Sequence, residues 1–95
     1  MKHLKLSSAI LCGFKKVDGK QYFGDFCAGE PHKPSAVCVV GAVNLCLTGN
    51  ARNQSEMPLE EFDKFEEAWG ERAYKLNDEG MPWEHIYGMA KAAGL

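Results

Sequence analysis

A chain of 95 residues, 45% hydrophobic and 25% charged with a formal net charge of −2, has the material for one globular domain. At this length folding buries roughly 60–65% of the surface that the unfolded chain exposes, enough for one core and not for two, so residues 1–95 are taken as a single domain. No low-complexity stretch, internal repeat or nucleotide-phosphate loop is present, and no apolar run approaches the roughly 20 residues that a membrane-spanning helix needs.

The small net charge hides an asymmetry. Residues 1–50 hold six Lys against three acids, a balance of +3, whereas residues 51–95 hold five cations against ten acids, a balance of −5. The basic half contains no Arg and its Lys are scattered, which equips it poorly to grip phosphates or read bases. Nucleic acid is therefore not expected as a partner, nor is a membrane. The opening MKHLKLSSAILCGFKK has the basic-then-apolar order of a secretion signal, but Lys5, Ser7 and Ser8 interrupt the apolar run and no A-x-A-like site follows. The expectation is a cytoplasmic protein.

Residues 3–12, including His3, form a first helix with Leu6 and Ile10 inward and Gly13 as its stop. Asp18-Gly19 then gives the signal for a two-residue hairpin turn, so a short hairpin or ordered loop is expected between the first two helices. Residues 24–34, with two Gly and two Pro, read as loop. Ser35 is placed as the cap of a second helix over 36–48, apolar nearly all round and closed by Gly49. Its valines would also suit a strand, but the length between cap and Gly favours a helix.

Pro58 opens a third helix running to residue 76, in which Leu59, Phe62, Phe65, Trp69, Ala73 and Leu76 recur at helical spacing. The NDEG turn at 77–80 separates it from a last helix that starts at Pro82 and carries Trp83, Ile86, Tyr87 and Ala90 on one side. The two tryptophans are expected to close the core between these neighbours. The fold class that follows is mainly α, a small bundle of about four helices.

Chemistry is harder to find. Cys12, Cys27, Cys38 and Cys46 are separated by 15, 11 and 8 residues, unlike the close pairs of zinc sites, and are read as free buried thiols. His3, His32 and His85 form no metal-ligand pairing, so no metal and no cofactor is expected. The acid pairs Glu60/Glu61 and Glu66/Glu67 lie on the polar side of a helix, and Asp78 follows Asn77 where a turn is to be tied down by side-chain hydrogen bonds. No catalytic constellation is visible. The surplus side chains lie in the central loop, where Tyr22, Phe26 and His32 are the candidate binding residues, because aromatics on a constrained loop make interface anchors. The competing reading tucks Phe23 and Phe26 beneath the loop to finish the core.

Two stretches, CVVGAVNL at 38–45 and LNDEGMPWEHIYGMAKAA at 76–93, carry a Cys-x-x-Gly-Ala on an apolar helix and an Asn-Asp turn before an alanine-rich closing helix. In these the chain resembles a family of small helical proteins of uncharacterised function from phages and actinobacteria. The resemblance spans about half the chain and departs from the family at Met81-Pro82, where the family carries a Thr. It implies a helical fold and a phage origin, and assigns no catalytic residue.

The first functional expectation is a small interaction protein, phage-encoded, that occupies a surface of a host or phage protein; inhibition of host defence fits this class. A small-molecule or nucleotide binder, or a minor enzyme, with a pocket between the helices and the 14–34 loop, is the alternative. A homo-oligomeric virion component is a third.

Overall fold

The computed structural model describes residues 4–95; His3, expected in the first helix, lies outside them. Mainly α is the observed class, with five helices among the described residues and one antiparallel hairpin between the first two: α1 Leu6–Lys15, β1 Cys27–Glu30, β2 Lys33–Val37, α2 Val39–Thr48, α3 Leu59–Trp69, α4 Ala73–Asp78 and α5 Trp83–Ala92. No helix of the described residues is long and apolar enough to cross a membrane.

Leu6, Ile10 and Phe14 recur four apart on α1 and are wholly buried, with Ala9 beside them. Gly13 does not stop this helix, which continues to Lys15. It serves instead as the contact with α2: a Cβ on Gly13 would overlap the backbone of Ala42, so only glycine lets the two helices approach this closely. Gly41 has the same role against the backbone of Phe26. The close packing brings Cys12 of α1 and Cys46 of α2 together in a disulfide, with their Cα atoms 5.6 Å apart, which corrects the reading of all four cysteines as free thiols. Cys27 and Cys38 are free and buried.

Asp18 and Gly19 take the positive φ values, 54° and 74°, that a tight turn requires, yet no strands pair across them. The N–H groups of Val17 and Gly19 both donate to the carbonyl of Phe14, so the turn finishes α1. The hairpin forms later, where a loop was expected. Cys27 faces Val37 and Glu30 faces Lys33, with an irregularity between Ala28 and Gly29, and Pro31-His32 make the turn. On the other side of β2, Gln21 bridges Val37 in the parallel sense: Tyr22 N–H donates to the Val37 carbonyl (2.8 Å) and Val37 N–H to the Lys20 carbonyl (3.1 Å).

Because β2 extends to Val37, Ser35 is a strand residue and α2 begins three residues later than expected. Its cap is Cys38, whose Sγ accepts from Gly41 N–H at 3.2 Å. Gly49 closes α2 as expected, and Val39 through Leu45 are buried.

The helix expected over 58–76 is two helices. At Gly70 the backbone turns left-handed, φ 76°, while its N–H donates to the Glu66 carbonyl, and the chain re-enters a helix only at Ala73. Glu66 and Arg72 pair across the break at 3.2 Å. Trp69 stays 42% exposed rather than closing the core, tethered by its indole N–H to the Met89 carbonyl (3.1 Å). Trp83 does pack inward, stacked on Phe14 with centroids 4.5 Å apart and its N–H donating to the Gly19 carbonyl at 3.1 Å. Phe14 and Phe65 are the largest fully buried side chains, followed by Leu6, Ile10 and Ile86 and then by Val37, Val39 and Val43.

Candidate functional site

The geometry of the surface is set by two side-chain amides. Asn77, at the end of α4, is fully buried and uses both ends of its side chain. Its Oδ1 accepts from Gln21 Nε2 (2.8 Å) and from the backbone N–H of Val39 (3.1 Å), the first residue of α2. Its Nδ2 donates to the Tyr22 carbonyl (2.9 Å) and to Asp78 Oδ1 (3.2 Å). Gln21 in turn donates to the Met81 carbonyl and accepts from Trp83 N–H, each at 2.8 Å. Three stretches distant in sequence are thereby locked together: the segment after α1, the start of α2 and the turn between α4 and α5.

That lock positions the loop at 24–26. Gly24 N–H donates to Asp78 Oδ1 (2.9 Å), and Asp25 accepts both arms of the Arg52 fork, at 3.0 and 2.8 Å, as well as Phe26 N–H at 2.7 Å. The Arg52 guanidinium, bonded to Asp25, and then the Phe26 amide hold the Asp25 carboxyl below the usual carboxylate range. The loop is thus fastened at both edges, and Phe26 projects from a fixed base.

Facing this loop are α3 and α4, and between them runs a groove of about 410 Å³. Its walls include Phe26 and Val40 on one bank and Leu59, Phe62 and Tyr74 on the other, with Met57 also lining it. Leu59 is 65% and Tyr74 47% exposed, so large apolar surface stands uncovered along the second bank. Carboxylates of Asp63, Glu66 and Asp78 mark the margin together with Arg72. Cys38 lies on the lining as well. Burial pushes its thiol up, against the opposite pull of the Gly41 N–H at the helix start, so it is protonated at neutral pH and poorly suited to act as a nucleophile.

No protein-family model, curated protein or solved structure matches this chain.

The three candidate binding residues do not converge. Phe26 lines the groove and is partly buried. Tyr22 is 37% exposed and does not line it; its backbone, bonded to Val37 and Asn77, is what the fold uses. His32 sits on the hairpin turn, 3.4 Å from the Asn50 amide, in a separate depression of about 250 Å³ with Lys16 and Lys33. Phe23 is 48% exposed and is not tucked beneath the loop.

Leu59, Phe62 and Tyr74 were missed because the first two belong to the helical stripe that reads as core. A signal existed for Tyr74: it falls off the stripe of Phe65, Trp69, Ala73 and Leu76, and an aromatic off the apolar face of a helix is a surface aromatic. Among the described residues, no three side chains of His, Cys, Asp or Glu come together to hold a metal ion.

Proposed function

We propose that this chain is a small interaction protein that takes an apolar segment of another protein into the groove between the 24–26 loop and α3–α4. The observation that carries the reading is the exposure of Leu59 and Tyr74 in a groove that Phe26 also lines. Large apolar side chains around a fixed concavity are what a docking partner covers, with most binding energy resting on a few such anchors. A phage origin, with the host cytoplasm as the place of action, belongs to the same reading, and a host protein is then the partner. In a reducing cytoplasm the Cys12–Cys46 pair would be held open, so recovery of the fully oxidised protein from its cell would argue for another compartment.

The test compares capture by the wild type, by the Leu59→Ala/Tyr74→Ala double variant and by Tyr22→Ala. Both groove residues are exposed, so the double variant keeps its fold. The expected result is one stoichiometric partner, lost from the double variant and retained by Tyr22→Ala. Equal capture by all three would remove the groove from consideration.

The volume of the groove, about 410 Å³, also falls in the range of small-molecule sites, which favours a second reading as a ligand binder. A ligand present at 100 times its dissociation constant would stabilise the fold by about 2.7 kcal/mol. For a domain of this size that raises Tm by about 10 °C or more, and a thermal-shift screen would read it directly.

A further inference from the structure

The margin of the groove carries more negative charge than the fold itself neutralises. Of the four carboxylates that line it, Asp25 is forked by Arg52 and Glu66 is paired with Arg72. Asp63 and Asp78 have no ion-pair partner among the described residues. Asp78 accepts hydrogen bonds from Gly24 N–H and Asn77 Nδ2, but these bring no countercharge. Asp63 makes no side-chain hydrogen bond among the described residues, and it sits one position from Phe62 and four from Leu59 on α3. The groove thus offers apolar walls edged by two carboxylates that no described cation pairs with.

Resting on the proposed docking of a protein segment, we infer that the occupant is a basic amphipathic segment: one that seats an apolar anchor against Phe26, Leu59 and Tyr74 and brings Lys or Arg to Asp63 and Asp78. Charge complementarity selects this partner. A segment with acidic flanks would meet like charge at the margin, and charges facing one another across an interface govern encounter rate and the rejection of wrong partners more than they govern affinity. Because the carboxylates are open to water, each contributes a factor of about two to five in affinity, and the factor shrinks as salt screens it.

The experiment is a selection from a randomised 12-residue peptide library on the immobilised, folded protein, run in parallel on Asp63→Asn and Asp63→Asn/Asp78→Asn. Asp63→Asn leaves every internal bond described above in place, so it remains a test should the double variant loosen the loop at Gly24. Selected peptides are expected to be enriched in apolar residues and in Lys and Arg. On Asp63→Asn the apolar enrichment persists while the basic enrichment falls, and a selected peptide binds two- to five-fold more weakly to that variant than to the wild type in low salt. Apolar enrichment with no basic bias, or with the same bias on the variants, overturns this inference and leaves the docking reading standing. No enrichment at all overturns both. Sedimentation at the mass of a dimer without peptide, abolished by Leu59→Ala/Tyr74→Ala, would make a second copy of the chain the occupant and overturn the inference as well.

Discussion

Asn77 shows how much of this fold can depend on a single amide. It supplies two acceptor bonds and two donor bonds from a site with no access to water, and it is the only described side chain that bonds the first N–H of α2, the segment at 21–22 and its own neighbour Asp78 at once. Replacement by Ala would leave the Val39 N–H and the Tyr22 carbonyl without partners. Each such orphan costs about 1–3 kcal/mol, against a total stability of about 5–15 kcal/mol for a small domain. Asn77→Ala is therefore expected to lose about 3 kcal/mol in urea denaturation, seen as a lower midpoint at unchanged slope. A loss below about 1 kcal/mol would mean that water takes over these bonds. The sequence points to Asp78, after Asn77 at a helix end, as the residue whose side chain ties down this turn; it does not single out Asn77. That Asn77 also caps a helix 38 residues away is a fact of tertiary packing that local spacing does not contain.

At the scale of elements, the helical segments were legible and most of their limits were not. The stripe Leu59, Phe62, Phe65, Trp69 marks α3, and Gly49 marks the end of α2, because periodicity and C-terminal glycines are local signals. The break at Gly70 was hidden, since the apolar stripe resumes in register at Ala73 and Leu76 on its far side. Its consequence is directly testable. In a continuous helix Gly70→Ala would stabilise by about 1 kcal/mol; at a φ of 76° an alanine is strained, and the variant is expected to lose about 1 kcal/mol instead. The sign of the change in an equilibrium unfolding curve decides between the two. The hairpin of β1 and β2 was hidden for a different reason. Gly29 and Pro34 read as loop residues, and what turns them into strand is the pairing of Cys27 with Val37 and of Val37 with the chain at 20–22. Ser35 and Cys38 show the same limit: serine is the better cap by propensity, but the strand claims it, and the thiol caps α2 in its place.

The whole molecule is held by one covalent link between its two most intimately packed helices. Cys12 and Cys46 are 34 residues apart, and no spacing rule pairs them; the approach of α1 and α2 through Gly13 and Ala42 does. A loop of this length restrains the unfolded chain by between about 3 and 4 kcal/mol, which for a domain of this size corresponds to about 15 °C or more in Tm. Oxidised protein is expected to melt higher than reduced protein by that amount. A Cys12→Ala/Cys46→Ala variant should melt at one temperature with and without reductant, near that of the reduced wild type. The candidate site was legible only in part at this scale. Phe26 was named from its loop, while its opposing bank comes from side chains more than 30 residues further on, and no one-dimensional pattern reveals which distant surfaces will face each other.

The link between Cys12 and Cys46 also divides the two shores of the cleft. Phe26, Cys38 and Val40 belong to a closed ring of polypeptide, whereas Leu59, Phe62 and Tyr74 ride on an open-ended arm that begins beyond Cys46. One jaw is clamped in covalent bonds and the other is restrained by non-covalent contacts alone, among them those at Asn77. While that disulfide is closed, a guest too wide for the resting gap is expected to shift the arm more than the ring, and reduction is expected to remove that difference between the two jaws.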